Sequence, residues 1–300
     1  MIDDKDISVV VQGPIIHKES EVAVDWTKEV CASIRTHLPN AELILSTWIN
    51  SEVNGIDYDL LIENDDPGNF LSYYNGYDQN PAINNINRQI VSTKEGIRAA
   101  TRKYVMKLRS DSIVLTTNFL KIYEMYGERE ERIATFEPRN PYGIFKGQYS
   151  LCDFWFLGTK ERMELLWNIP LYDQSPITSR DALGEEYLIL CLMKNECGIT
   201  YDQLKNADTN KKGKEVIDVA YKRLMKNLLL ILPARKSGIK CLKYPQLNSF
   251  SIVCIRHYVY SHLDWINLQK GNRAIFRVGN IIQIMLGKFW ERCRAVRYNI

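Results

Sequence analysis

Arg109-Ser110-Asp111 follows the apolar run Tyr104-Val105-Met106-Lys107-Leu108, and no other stretch of the sequence suits phosphate chemistry as well. The run predicts a buried strand that ends at the polar cluster Arg109-Ser110-Asp111-Ser112. Alternation sets Arg109 and Asp111 on the same side of the extended chain. Open α/β sheets bind their ligands beyond the carboxyl ends of the strands. A carboxylate there, beside a fixed cation, suits a diphosphate and its divalent metal; equally, the two residues could simply pair with each other.

Other residues point the same way. Gln12-Gly13-Pro14 breaks the β-branched run Ile7 to Val11, and a glycine there lets backbone approach a nucleotide closely. Asp65 and Asp66 stand in a turn closed by Pro67-Gly68, where either could accept a hydrogen bond from a base or ribose. Asn85-Ile86-Asn87-Arg88 opens a helix with Asn85 or Asn87 as its N-cap. An arginine in a first helical turn opposes the helix dipole, so Arg88 is expected to serve an anion. A diphosphate gripped bidentately is one candidate; a salt bridge to Asp111 or Asp65 is the other.

The elements that must position these residues alternate in type. Strands are expected at Ile7–Val11, Glu42–Trp48, Tyr58–Ile62, Tyr104–Leu108, Arg132–Phe136 and Leu151–Gly158, the last carrying Asp153. Helices are expected over Asp25–Leu38, Ile86–Arg102, Asn118–Tyr126, Lys160–Trp167 (capped by Thr159) and Asp181–Lys194. Asn69 to Asn84 reads as an irregular loop, and Val216 to Leu232 as one basic, Leu-rich helix. A late strand, Ser249–Tyr260, and a basic amphipathic helix, Arg273–Val296, complete the chain. The pattern defines an α/β fold with a mostly parallel sheet. The division expected is a catalytic domain over 1–205 and a basic, mainly helical extension over 206–300, divided at the polar segment Asn206–Lys214.

The 300 residues suffice for one large α/β domain. A net charge of +3 is too mild to argue for nucleic acid. Seven scattered cysteines without CxxC spacing argue against a zinc site and for a reducing cytosol. No apolar run nears the roughly 20 residues needed to span a bilayer.

Five stretches in this order resemble the WavE family of bacterial lipopolysaccharide-synthesis proteins: Val9 to Ile15, Leu45 to Trp48, Glu63 to Gly68, Asn85 to Thr93 and Lys107 to Asp111. The resemblance is strong over residues 7–115, weaker through Asp153 and Glu185-Glu186, and absent after about residue 200. It implies a GT-A-like glycosyltransferase using a nucleoside diphosphate sugar, UDP-hexose for preference, to extend a surface glycan. On this resemblance Gln12, Gly13, Pro14, Thr47, Asp65, Asp66, Asn87, Arg88, Arg109 and Asp111 contact the donor. Many GT-A enzymes have Asp-x-Asp where this chain has Arg-Ser-Asp, so Asp111 is the expected ligand for Mn²⁺ or Mg²⁺, with His257 as a further one, and Arg109 could do part of the metal's work. An inverting transfer needs a base; Glu185 and Glu186 come first and Asp153 next. The acceptor would be a glycan or lipid-linked molecule, reached from the cytoplasm; Arg273–Ile300 would either pack its apolar face on the catalytic domain or dock on an anionic membrane surface. Two other readings are a sugar nucleotidyltransferase, which usually carries a Gly-rich, Arg-containing loop after the first strand, and a non-catalytic membrane adaptor.

Overall fold

Ile7 to Gln12 forms a strand, β1, buried at every position, as expected of a strand covered on both faces. The computed structural model describes residues 2–18, 24–72, 82–129, 131–137, 149–173, 184–200, 203, 211–243 and 260–271. After β1 come β2 (His17–Lys18), β3 (Val24–Asp25), α1 (Trp26–His37), β4 (Glu42–Trp48) and β5 (Leu60–Asn64). A small hairpin, β6 (Phe70–Ser72) with β7 (Ala82–Asn84), leads into α2 (Ile86–Ala99). The chain continues with β8 (Tyr104–Arg109), β9 (Ser112–Val114), α3 (Asn118–Tyr126), β10 (Ile133–Phe136), β11 (Trp155–Thr159), α4 (Lys160–Trp167) and α5 (Gly184–Cys197). The last described elements are α6 (Lys211–Asn227), β12 (Leu229–Leu232), α7 (Ala234–Ser237), β13 (Ile239–Cys241) and α8 (His262–Gln269).

Seven strands form one sheet in the order β12-β10-β11-β8-β1-β4-β5. All neighbours are parallel except at β11, which runs against both β8 and β10. The carboxyl ends of the six co-directional strands therefore share one edge of the sheet. The start of β11 reaches the same edge, because Trp155 pairs with Leu108. Helix α2 lies close on the middle of the sheet: a Cβ on Gly96 would stand 2.3 Å from Val10 Cγ1. Off the main sheet, β13 pairs with β9, and the Leu242 amide donates to the Asp111 carbonyl at 2.7 Å. The loop that carries Asp111 is pinned by this contact.

Several boundaries differ from the sequence expectation. The third strand begins at Leu60 instead of Tyr58 and extends to Asn64. The loop expected over Asn69–Asn84 contains the β6–β7 hairpin, whose paired apolar residues Leu71 and Ile83 both face solvent. Asp153 does not lie in a strand; β11 starts two residues later. The helix expected through Leu232 stops at Asn227, and Leu229–Leu232 is a fully buried edge strand parallel to β10. Asp25 caps α1 by accepting from the Lys28 amide, and Thr159 caps α4 as expected. Asn85 occupies the N-cap position of α2 without a capping bond; Asn84 Oδ1 accepts from the Ile86 amide instead, at 3.0 Å. The strand expected over Ser249–Tyr260, apart from Tyr260, and the helix expected over Arg273–Val296 lie outside the described residues. No described helix is long and apolar enough to cross a membrane, and Cys31, Cys191 and Cys197 are free thiols.

Candidate active site

Four loops meet at the carboxyl edge of the sheet. Gly13 takes a φ of 122°, which glycine adopts readily and other residues avoid. Its amide donates to the Ser46 carbonyl at 3.1 Å, while the Ser110 amide donates to the Gln12 carbonyl at 3.1 Å. Ser110 Oγ donates to the Pro14 carbonyl at 2.8 Å. Ser92 on α2 donates to Gln12 Oε1 at 2.8 Å and accepts, through its carbonyl, from Ser46 Oγ at 2.7 Å. Gln12 and Thr47 are thus buried parts of the floor, with Thr47 Oγ1 3.2 Å from Ser51 Oγ. Pro14 is exposed at the rim.

Arg88 stands on the first turn of α2 and binds Asp66 with two bonds, Nε to Oδ1 at 2.7 Å and Nη2 to Oδ2 at 2.5 Å. Its partner is therefore neither Asp65 nor Asp111. The hydrogen bond from Arg88 holds the Asp66 carboxyl below its ordinary range, and Asp66 raises the Arg88 pKa in return. Both side chains are about one-third exposed, and a pair that open to solvent contributes only ~0–1 kcal/mol. An incoming phosphate could take the guanidinium at little cost. Asp65 is exposed beside them. Asn87 is engaged elsewhere: its amide exchanges two hydrogen bonds with the Tyr172 backbone, at 2.9 and 2.7 Å.

The neighbouring residue, Gln89, links this turn to the centre of the site. Gln89 Nε2 donates to Asp153 Oδ2 at 2.7 Å, and that same oxygen lies 4.0 Å from Arg109 Nη1. Arg109 in turn grips Asp111 bidentately, Nε to Oδ1 at 3.1 Å and Nη2 to Oδ2 at 2.7 Å. Burial opposes the Arg109 charge, but Asp153 and Asp111 outweigh it and raise its pKa. The guanidinium also lies over the Phe154 ring, 4.5 Å from its centre. The first turn of α5 closes the cluster from above α2. A Cβ on Gly184 would meet Ile86 Cδ1 at 3.3 Å, and the Leu151 amide donates to the Glu185 carbonyl at 3.1 Å. Burial, with the Asp153 charge second, pushes the Glu185 carboxyl up to about 7. Glu186 points to a buried position on the same turn.

Lys107 is the residue that sequence reasoning passed over. It lies inside β8 with no exposed surface, its ammonium donating to the Asp153 carbonyl and facing the Trp167 ring at 5.1 Å. Burial drives its pKa down to about 7 against the pull of Asp153. A lone lysine between Met106 and Leu108 was the available signal, since full burial of an ammonium is costly without a partner.

The donors present bear on a metal. No group of three His, Cys, Asp or Glu placed to hold an ion exists among the described residues, and His257 lies outside them. Asp111 alone, with both oxygens on Arg109, is no self-sufficient site. It fits Mg²⁺ or Mn²⁺ only where phosphate oxygens complete the shell, the usual arrangement for these ions.

A mostly parallel α/β sheet with its polar cluster at the carboxyl edge places the protein in the class whose ligands bind at that edge. The chain belongs to the WavE lipopolysaccharide synthesis family, which it matches over residues 7–292. No curated protein matches the sequence. Among solved structures, glycosyltransferase GlyE from Streptococcus pneumoniae aligns at 12% identity with a TM-score of 0.37, over 95% of this chain and 63% of that one. The 4-diphosphocytidyl-2C-methyl-D-erythritol synthase of Anaerococcus prevotii aligns at 10% identity with a TM-score of 0.34, over 65% of this chain and 100% of that one.

Proposed function

We propose that the protein is an inverting glycosyltransferase of the GT-A kind that moves a hexose from a UDP-linked donor onto a growing lipopolysaccharide or capsular glycan. The observation that carries this reading is the chain of contacts Arg88–Gln89–Asp153–Arg109–Asp111 at the carboxyl edge of the sheet, in a member of a lipopolysaccharide synthesis family. Two arginines suit the diphosphate, since each can bind it bidentately. Gly13, at a φ of 122°, turns the backbone sharply where β1 meets this edge. Asp111 would hold Mn²⁺ or Mg²⁺ together with diphosphate oxygens, and the ion would neutralise charge on the leaving group.

Two neighbouring carboxyls with different environments supply the acid–base assignment. Asp153 accepts from Gln89 and faces Arg109. Glu185, raised to about 7, is matched to proton transfer near neutral pH. In the transfer, the acceptor hydroxyl oxygen bonds to the anomeric carbon of the sugar. The bond from that carbon to the diphosphate oxygen breaks, the electron pair leaves with UDP, and the hydroxyl proton goes to Glu185. The test is UDP-hexose turnover with a lipopolysaccharide-core acceptor, alongside thermal shift with UDP, GDP, CMP and dTDP. Stabilisation by one nucleoside diphosphate and release of UDP on glycan extension are expected. Absence of stabilisation by every nucleotide, together with no transfer, would overturn the proposal.

A further inference from the structure

The accessibility of the central ion pair is lopsided. The Asp111 side chain is 2% exposed and the Arg109 side chain 22%, so the guanidinium roofs the carboxylate. Both Asp111 oxygens are on Arg109, and Oδ1 also lies 3.4 Å from Ser112 Oγ. From the other side, Asp153 stands 4.0 Å from the same guanidinium. Arg109 thus grips Asp111 and faces Asp153. Any ion that reaches Asp111 must first move Arg109. A free cation gains little by doing so, because it would meet one carboxylate and no phosphate oxygens to complete its shell. A diphosphate removes that obstacle on both sides: it accepts the guanidinium bidentately and brings oxygen ligands for the metal.

We infer that Arg109 is a stand-in cation on Asp111, released only when a diphosphate arrives, so that the protein binds its divalent metal with the nucleotide and not before it. This deepens the donor-site reading above and rests on it. Binding of the two ligands is then coupled, and each tightens the other by the same factor. Arg109 acts as a binding residue that moves from carboxylate to phosphate, and Asp111 acts as the metal ligand it uncovers.

Mn²⁺ titrations followed by electron paramagnetic resonance test this on the full chain, with MnCl₂ alone and with saturating UDP. The wild type is expected to bind Mn²⁺ at least tenfold more tightly with UDP. In Arg109→Gln the carboxylate is uncovered, so Mn²⁺ alone is expected to bind at least tenfold more tightly than to the wild type, and Asp111→Asn should abolish that gain. Arg109→Lys keeps the charge without the fork and serves if the glutamine variant fails to fold; it should give an intermediate gain. Wild-type binding of Mn²⁺ alone as tight as that of Arg109→Gln would overturn the inference. So would a glutamine or lysine variant that gains no affinity. If no nucleotide binds, the donor reading falls, while the titrations with Mn²⁺ alone still report whether Arg109 covers Asp111.

Discussion

Lys107 and Glu185 carry opposite charges into one buried region, and burial moves each towards its neutral form. Their effects on stability have opposite slopes. Glu185 rises from 4.5 to about 7, so its contribution is whole below pH 4.5 and is lost as pH climbs to about 7. Lys107 falls from 10.5 to about 7, so the folded state binds fewer protons than the unfolded chain between those values, and stability recovers as pH rises through them. The two together place a stability minimum near neutrality. Lys107→Met should remove the alkaline recovery, so that urea unfolding at pH 6, 8 and 10 shows stability no longer rising above neutrality. For catalysis, Glu185→Gln should cost roughly 10²–10⁴-fold in kcat. Asp153→Asn removes a charge that raises Glu185, so the rising limb of kcat/KM should move to lower pH. A limb that stays in place would show that Glu185 does not titrate in the reaction.

At the scale of elements, the site depends on how closely α2 lies on β1. Gly96→Val would drive a side chain into Val10, and overpacking of this kind costs about 1–3 kcal/mol; a fall in the urea midpoint with unchanged slope is the expected reading. Elements with strong periodicity were plain in the sequence, such as Glu42–Trp48 and Asn118–Tyr126. Leu229–Leu232 was not, because no glycine or proline separates it from the apolar stripe of the helix before it. The β6–β7 hairpin was hidden for the opposite reason, since its apolar Leu71 and Ile83 face solvent. Of the site, the strand end at Arg109-Ser110-Asp111 and the arginine at the start of α2 were legible. The pairings Arg88–Asp66 and Gln89–Asp153 join residues 22 and 64 positions apart, and local pattern carries no information about them. Lys107 was written in the sequence as an anomaly, but its environment comes from α4, through Trp167.

The basic segment over 273–300 has two readings from its sequence, packing on the catalytic domain or docking on an anionic membrane surface. If it docks on the membrane, deleting residues 273–300 should abolish binding to anionic vesicles in a flotation assay while leaving UDP binding intact; unchanged vesicle binding would rule that reading out. The strand order has another outcome, in the cell and in time. Strand β10 is complete at Phe136, but its outer neighbour β12 begins only at Leu229. At ribosomal speeds of about 5–20 residues per second, roughly 5–20 s separate the two. Once β11 is complete at Thr159, and until β12 emerges, the nascent chain presents Ile133–Phe136 as an open, apolar sheet edge, a template for pairing with other chains. The protein should therefore lean on chaperones during synthesis. Chains released before residue 229 should aggregate, where those released after 243 stay dispersed.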